Sequence, residues 1–87
     1  MAAALAAGIA ATTAAPAAAS EGDYLKLKDR FNYLTAQQLL SEGYRVCGAI
    51  RNGVRSTDAV DMVIKDLKVS TEAGLDIVAA AVVDLGC

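Results

Sequence analysis

The stretch from Glu72 to Cys87, EAGLDIVAAAVVDLGC, limits the possible folds of this chain more than any other. At 100° per residue, Gly74, Val78, Ala81, Val82 and Leu85 fall on one side of a helix, with Leu75 and Ile77 flanking them. The apolar arc then covers well over half of the wheel, and only Asp76, Ala80 and Asp84 make a clear outer face. Such a helix is too short and too charged to span a bilayer, so it belongs in the middle of a small bundle that covers it. Gly86 should end it, because glycine takes the left-handed conformation needed just past a helix C-terminus. That break releases Cys87 from the helical register and lets it turn back toward the chain.

The material available to cover this helix lies after residue 20, where all 8 basic and 10 acidic residues are found. Residues 1–19, MAAALAAGIAATTAAPAAA, form an alanine run broken by Pro16. Alanine buries little area and the run has no amphipathic period, so it is not a core element. It resembles the apolar region and cleavage end of a secretory signal. Ala17 and Ala19 satisfy the small-x-small rule for cleavage before Ser20, although no Lys or Arg stands near Met1. The expected organisation is therefore a signal-peptide-like segment, 1–19, and a helical domain, 20–87, that is secreted or held in the cell envelope. A domain this small buries a thin core and needs a staple, a metal or a partner.

Three further helices are predicted. The first runs from about Asp23, as N-cap, to Leu34, with Tyr24, Leu27, Phe31 and Leu34 as its stripe; Leu25 and Tyr33 fall off that stripe. The second opens at Thr35 with the capping box Thr35-Ala36-Gln37-Gln38. Its stripe is Ala36, Leu39, Leu40, Gly43, Val46, Cys47 and Ile50, with Glu42 and Arg45 among the outer residues, and Asn52-Gly53 is its stop. Gly43 in that stripe should let a neighbouring element come close. The third starts at Ser56 or Thr57, either of which can cap it, and runs to about Lys68 with Val60, Val63, Ile64 and Leu67 inward. Ser70 then caps the fourth. The fold class is all-α, a small four-helix domain.

Little here can carry chemistry. With no histidine, the commonest general base and the commonest neutral metal ligand are both missing. Two cysteines cannot make a structural zinc site, and the acidic residues Asp58, Asp61 and Asp66 spread around helix 3 as a solvated face rather than forming a calcium loop. Tyr24, Tyr33 and Tyr44 lack the support a haem ligand would need, and no base exists to activate Ser56 or Thr57. No catalytic, cofactor-binding or metal residue is assigned, and no cofactor is expected. A net charge of −2 without a basic block argues against a nucleic-acid partner.

Cys47 and Cys87 stand forty residues apart. They are either two unrelated buried thiols or a disulfide tying helix 2 to the end of helix 4. The disulfide is the expectation, since one cysteine lies on an apolar stripe and the other follows a glycine break. A loop of that length contributes roughly 4 kcal/mol in the chain-entropy model. There is no Cys-x-x-Cys, so a redox-catalytic role is not expected.

These features together make a pattern: Gly43-x-x-Val46-Cys47, Gly53-x-x-Ser56/Thr57, a Val-rich helix, Ala80-Ala81-Val82 and a final Cys87. The pattern resembles a family of small exported mycobacterial proteins, the domain of unknown function 732. The Asp23-Tyr24-Leu25 opening is similar to that family's Asp-x-x-Phe-Leu start, and the likeness spans about residues 23–87. Leu85-Gly86 replaces the aromatic usual before the last cysteine. The resemblance implies an exported, disulfide-linked helical domain of actinobacterial origin, and it supplies no catalytic residue to carry over.

The function expected is thus a non-enzymatic interaction domain with an unknown protein partner or self-association. The alternative is a lipid or membrane-surface binder, prompted by the wide apolar arc of helix 4, although no helix pairs a basic face with large aromatics. The contact patch is expected among Leu25, Tyr33 and Val83, apolar residues off the stripes.

Overall fold

The computed structural model describes residues 20–87, so the signal-like segment and its cleavage site lie outside the described residues. Those residues form an all-α domain in which α1 (Glu21–Tyr24) runs into a 3-10 helix (Leu25–Asp29), followed by α2 (Ala36–Arg51), α3 (Ser56–Leu67) and α4 (Thr71–Asp84). No strand is present among them.

Local chemistry sets most of the boundaries. Thr35 and Gln38 close the expected capping box: the Gln38 N–H donates to Thr35 Oγ1 at 3.0 Å, and the Thr35 N–H donates to Gln38 Oε1 at 2.9 Å. Ser70 Oγ accepts from the Ala73 N–H at 3.1 Å and starts α4. Gly53 and Gly86 both take positive φ, 91° and 79°, and end α2 and α4. At α3 the expectation of a Ser56 or Thr57 cap fails. Arg55 is the N-cap, and it provides no side-chain cap hydrogen bond.

The expected first helix is also corrected. One α-turn begins at Glu21, two residues before Asp23, and tightens into 3-10 geometry instead of continuing to Leu34. Asp23 lies inside that turn, where it accepts from Ser20 Oγ at 2.7 Å, rather than capping it. The stripe still works: Tyr24, Leu27 and Leu34 are buried and Phe31 is half-buried. Three-residue steps keep side chains aligned in a 3-10 helix as well. The segment lies across the bundle, touching α2 and α4.

As expected, α4 packs against α1, α2 and α3. The fully buried centre is Tyr24, Leu39, Val46, Cys47, Val63 and Ile77. Gly43 is the close approach between the layers. A Cβ there would meet Leu85 Cδ1 at 2.6 Å and the Tyr24 ring at 2.7 Å. Tyr24 keeps its hydroxyl satisfied in this dry position by donating to the Leu39 carbonyl. Cys47 and Cys87 are disulfide-bonded, with Cα atoms 5.0 Å apart, and join α2 to the chain beyond α4.

Candidate interaction surface

The expected outer face of α4 is displaced around the helix. Asp76, Ala80 and Asp84 are half-buried, whereas Leu75, Ala79, Val82 and Val83 are exposed. The cause lies in the segment that precedes α2, at Arg30 and Ser20. Asp76 reaches Arg30 Nη1 at 2.9 Å, and the Asp84 carbonyl accepts from the Ser20 N–H at 2.6 Å. The charged side is therefore an interface edge, held by polar contacts. The core side is centred on Ala73, Ile77 and Ala81, and Val82, expected inward, is out. Leu75, Ala79, Val82 and Val83 follow i, i+4, i+7, i+8 spacing, a second apolar stripe on the same helix.

This second stripe meets the first turns of α3. Leu75, Val78, Ala79, Val82 and Val83 line an open groove of about 400 Å³, closed on its other side by Ser56, Thr57 and Val60. No charged side chain lines it. The backbones on either side sit close, because a Cβ on Gly74 would meet Ile64 Cγ1 at 3.0 Å and Val60 Cγ1 at 3.3 Å. Val83 is the most prominent wall, 76% exposed, and Leu75 is 52% exposed. A trough of this size and lining suits aliphatic side chains.

Of the three residues expected to contribute to a patch, Val83 and Tyr33 are exposed and Leu25 is half-buried. Val83 stands on the groove. Tyr33 is 62% exposed, but it lies in the connection before α2, edge-on to Phe31 with ring centroids 6.3 Å apart, and does not line the groove. Leu25 is half-buried, packed against the core, while Lys26 and Asp29 form the exposed side of the 3-10 segment. Leu75, Ala79 and Val82 are the residues the sequence reading missed. Their signal was the second stripe.

Glu42 was also missed, and its expected position on the outer face of α2 is wrong. It is only 5% exposed, and its Oε2 has no hydrogen-bond partner. Burial pushes its carboxyl up to about 7, helped by hydrogen bonding with Asp66 and by the Asp66 charge, while Arg45 opposes the shift. Asp66 is itself held by Arg45 Nε at 2.8 Å, so this member of the exposed acidic face also links α3 to α2. Two residues further along α2 from Glu42, Tyr44 donates its hydroxyl to Glu21, which holds the Tyr44 hydroxyl above its ordinary range. Among the described residues no three potential metal ligands converge.

Comparison of the chain with protein-family models, with curated proteins and with solved structures finds no match.

Proposed function

We propose that this chain is a small exported interaction domain without catalysis, which holds an apolar segment of a protein partner in the groove between α3 and α4. The observation that carries this reading is an uncharged groove walled by exposed Leu75, Val82 and Val83 on a frame stapled by Cys47–Cys87. Contiguous apolar surface of this kind is a feature of binding sites. Export is supported by the signal-like composition of residues 1–19 and by the paired cysteines, which persist in oxidising compartments. The resemblance to the exported mycobacterial two-cysteine family points the same way, and membership of that family is part of this reading.

The test is a pull-down from envelope extract with the wild-type domain and with Val83→Lys, alongside liposome co-sedimentation. A protein retained by the wild type and lost by the variant, at unchanged helix content, is the expected result. Identical retention by both would remove the groove from the account. Co-sedimentation of the wild type with liposomes, abolished by Val83→Lys, would replace the protein partner with a membrane surface.

A further inference from the structure

The C-terminal end of α4 lacks the charge that such an end attracts. The last carbonyls of a helix have no partners within it, and their summed dipole favours a cation. Yet α4 has no basic residue in its last turn, and its final residue is the half-buried Asp84, whose carboxylate works against the dipole. What reaches this end instead is Ser20. Its N–H donates to the Asp84 carbonyl at 2.6 Å, joining the two ends of the domain.

The surroundings of Ser20 are acidic as well. Asp23 accepts from Ser20 Oγ at 2.7 Å, and Glu21 is the next residue along. Lys26 pairs with the other Asp23 oxygen at 3.2 Å, and Glu21 is met by the neutral Tyr44 hydroxyl. Asp84, Asp23 and Glu21 thus stand against one exposed ammonium and a phenol. A positive charge on the Ser20 nitrogen answers both the carboxylates and the end of the helix.

We infer that the C-terminal end of α4 is the binding site of an α-ammonium group, the one created at Ser20 when the chain is cut between Ala19 and Ser20, with Asp84 as its counter-charge. Hydrolysis adds water across that bond, leaving a carboxylate on Ala19 and an amino group on Ser20 that takes up a proton at neutral pH. The nitrogen that already donates to the Asp84 carbonyl then carries three hydrogens and a full charge, set on the dipole of a 14-residue helix. While residue 19 is attached, the same nitrogen is an uncharged amide. The mature domain is therefore held more tightly at this edge than its precursor. Leu85 follows Asp84 directly and Cys87 comes two residues later, so the same contact pins the stretch that carries the disulfide. The inference rests on the proposed processing before Ser20 and is independent of the α3–α4 groove.

The test uses the full, oxidised 87-residue chain with a specific protease site ending at residue 19. The chain is folded, then cut, and both forms are melted by circular dichroism; the titratable groups of residues 20–87 are otherwise common to them. A free amino terminus titrates at about 7.7–8.0. The acidic site raises that value in the folded state, so the stabilisation is fully present below it and is lost as the pH rises through the folded value. The gain in thermal midpoint on cutting should therefore be larger at pH 6.5 than at pH 10 by about 2–6 °C. Asp84→Asn should raise the midpoint of the uncut chain, by relieving the clash with the helix dipole, and shrink the pH-dependent gain of the cut one. A gain that is the same at both pH values, or that Asp84→Asn leaves untouched, overturns the inference. The origin of the terminus is read separately from the intact mass of the exported protein, and a mature chain that starts elsewhere than Ser20 also overturns it. Full-length protein confined to the cell defeats the export reading itself, whatever the melts show, and the pull-down with Val83→Lys still judges the groove.

Discussion

Glu42 should make this domain more stable in mild acid than above neutrality. The group is buried, one of its oxygens is unpartnered, and it faces Asp66 across the α2–α3 contact with Arg45 beside both. Tyr24 on the α1 side also feels it: the Glu42 charge adds to burial in holding the Tyr24 hydroxyl well above its ordinary range. The folded carboxyl titrates at about 7 against a reference of 4.5. Between those values the folded chain keeps a proton that the unfolded chain has released. Stability from this group is therefore fully present below pH 4.5, falls as the pH rises to 7, and is flat beyond. At roughly 1.4 kcal/mol per pH unit, the loss is about 3 kcal/mol. Glu42→Gln holds the neutral state at every pH and can still donate to Asp66. The variant should be more stable than wild type by about 2–3 kcal/mol at pH 8 and within about 1 kcal/mol of it at pH 4. Urea unfolding followed by circular dichroism, with the disulfide intact, measures both differences. A variant no more stable than wild type at pH 8, or a difference that stays the same at both pH values, would refute the reasoning.

Three other expectations follow from the packing. Gly43→Ala places a methyl within 2.7 Å of both Leu85 and Tyr24, and should destabilise by about 1–3 kcal/mol despite alanine's better helix propensity, seen as a lower thermal midpoint. Cys47→Ser removes the staple and should cost about 2–5 kcal/mol in urea unfolding, whereas two freely titrating thiols in the folded wild-type protein would contradict the bond itself. Tyr24→Phe deletes the hydrogen bond to the Leu39 carbonyl while keeping the ring, and should cost about 1 kcal/mol; a neutral result would mean that this hydroxyl contributes nothing net.

The parts of the fold legible in the sequence are those decided within four residues. Thr35 with Gln38, Ser70 with the first turn of α4, and the glycines 53 and 86 each act on their immediate neighbours, so the ends of α2 and α4 were readable. Segment 23–34 was not, because spacings of three and four suit an α-helix and a run of tighter turns equally. Its shape is decided by contacts with α2 and α4. On α4 the wheel is apolar nearly all round, so its sequence does not orient it. Arg30 and Ser20, far away in the chain, hold its polar edge and thereby expose Leu75, Val82 and Val83. Glu42 lies next to Val46 on the α2 wheel, at the margin of the stripe, and its burial depends on Asp66 arriving from α3.

The disulfide has an asymmetric exposure with a kinetic consequence. Both sulfurs lie near the Ala81 carbonyl oxygen, at 3.7 Å for Cys47 and 3.6 Å for Cys87, but Cys47 is wholly enclosed while Cys87 is half-buried. An attacking thiolate therefore reaches the Cys87 sulfur and must expel the Cys47 thiolate into apolar surroundings, where it is a poor leaving group. Opening the bond readily requires the end of α4 to lift, and Leu85, seated over Gly43, is what holds it down. The rate at which a small reductant cuts the bond thus counts the departures of Leu85 from that seat, a clock for one edge of the molecule rather than for its global unfolding.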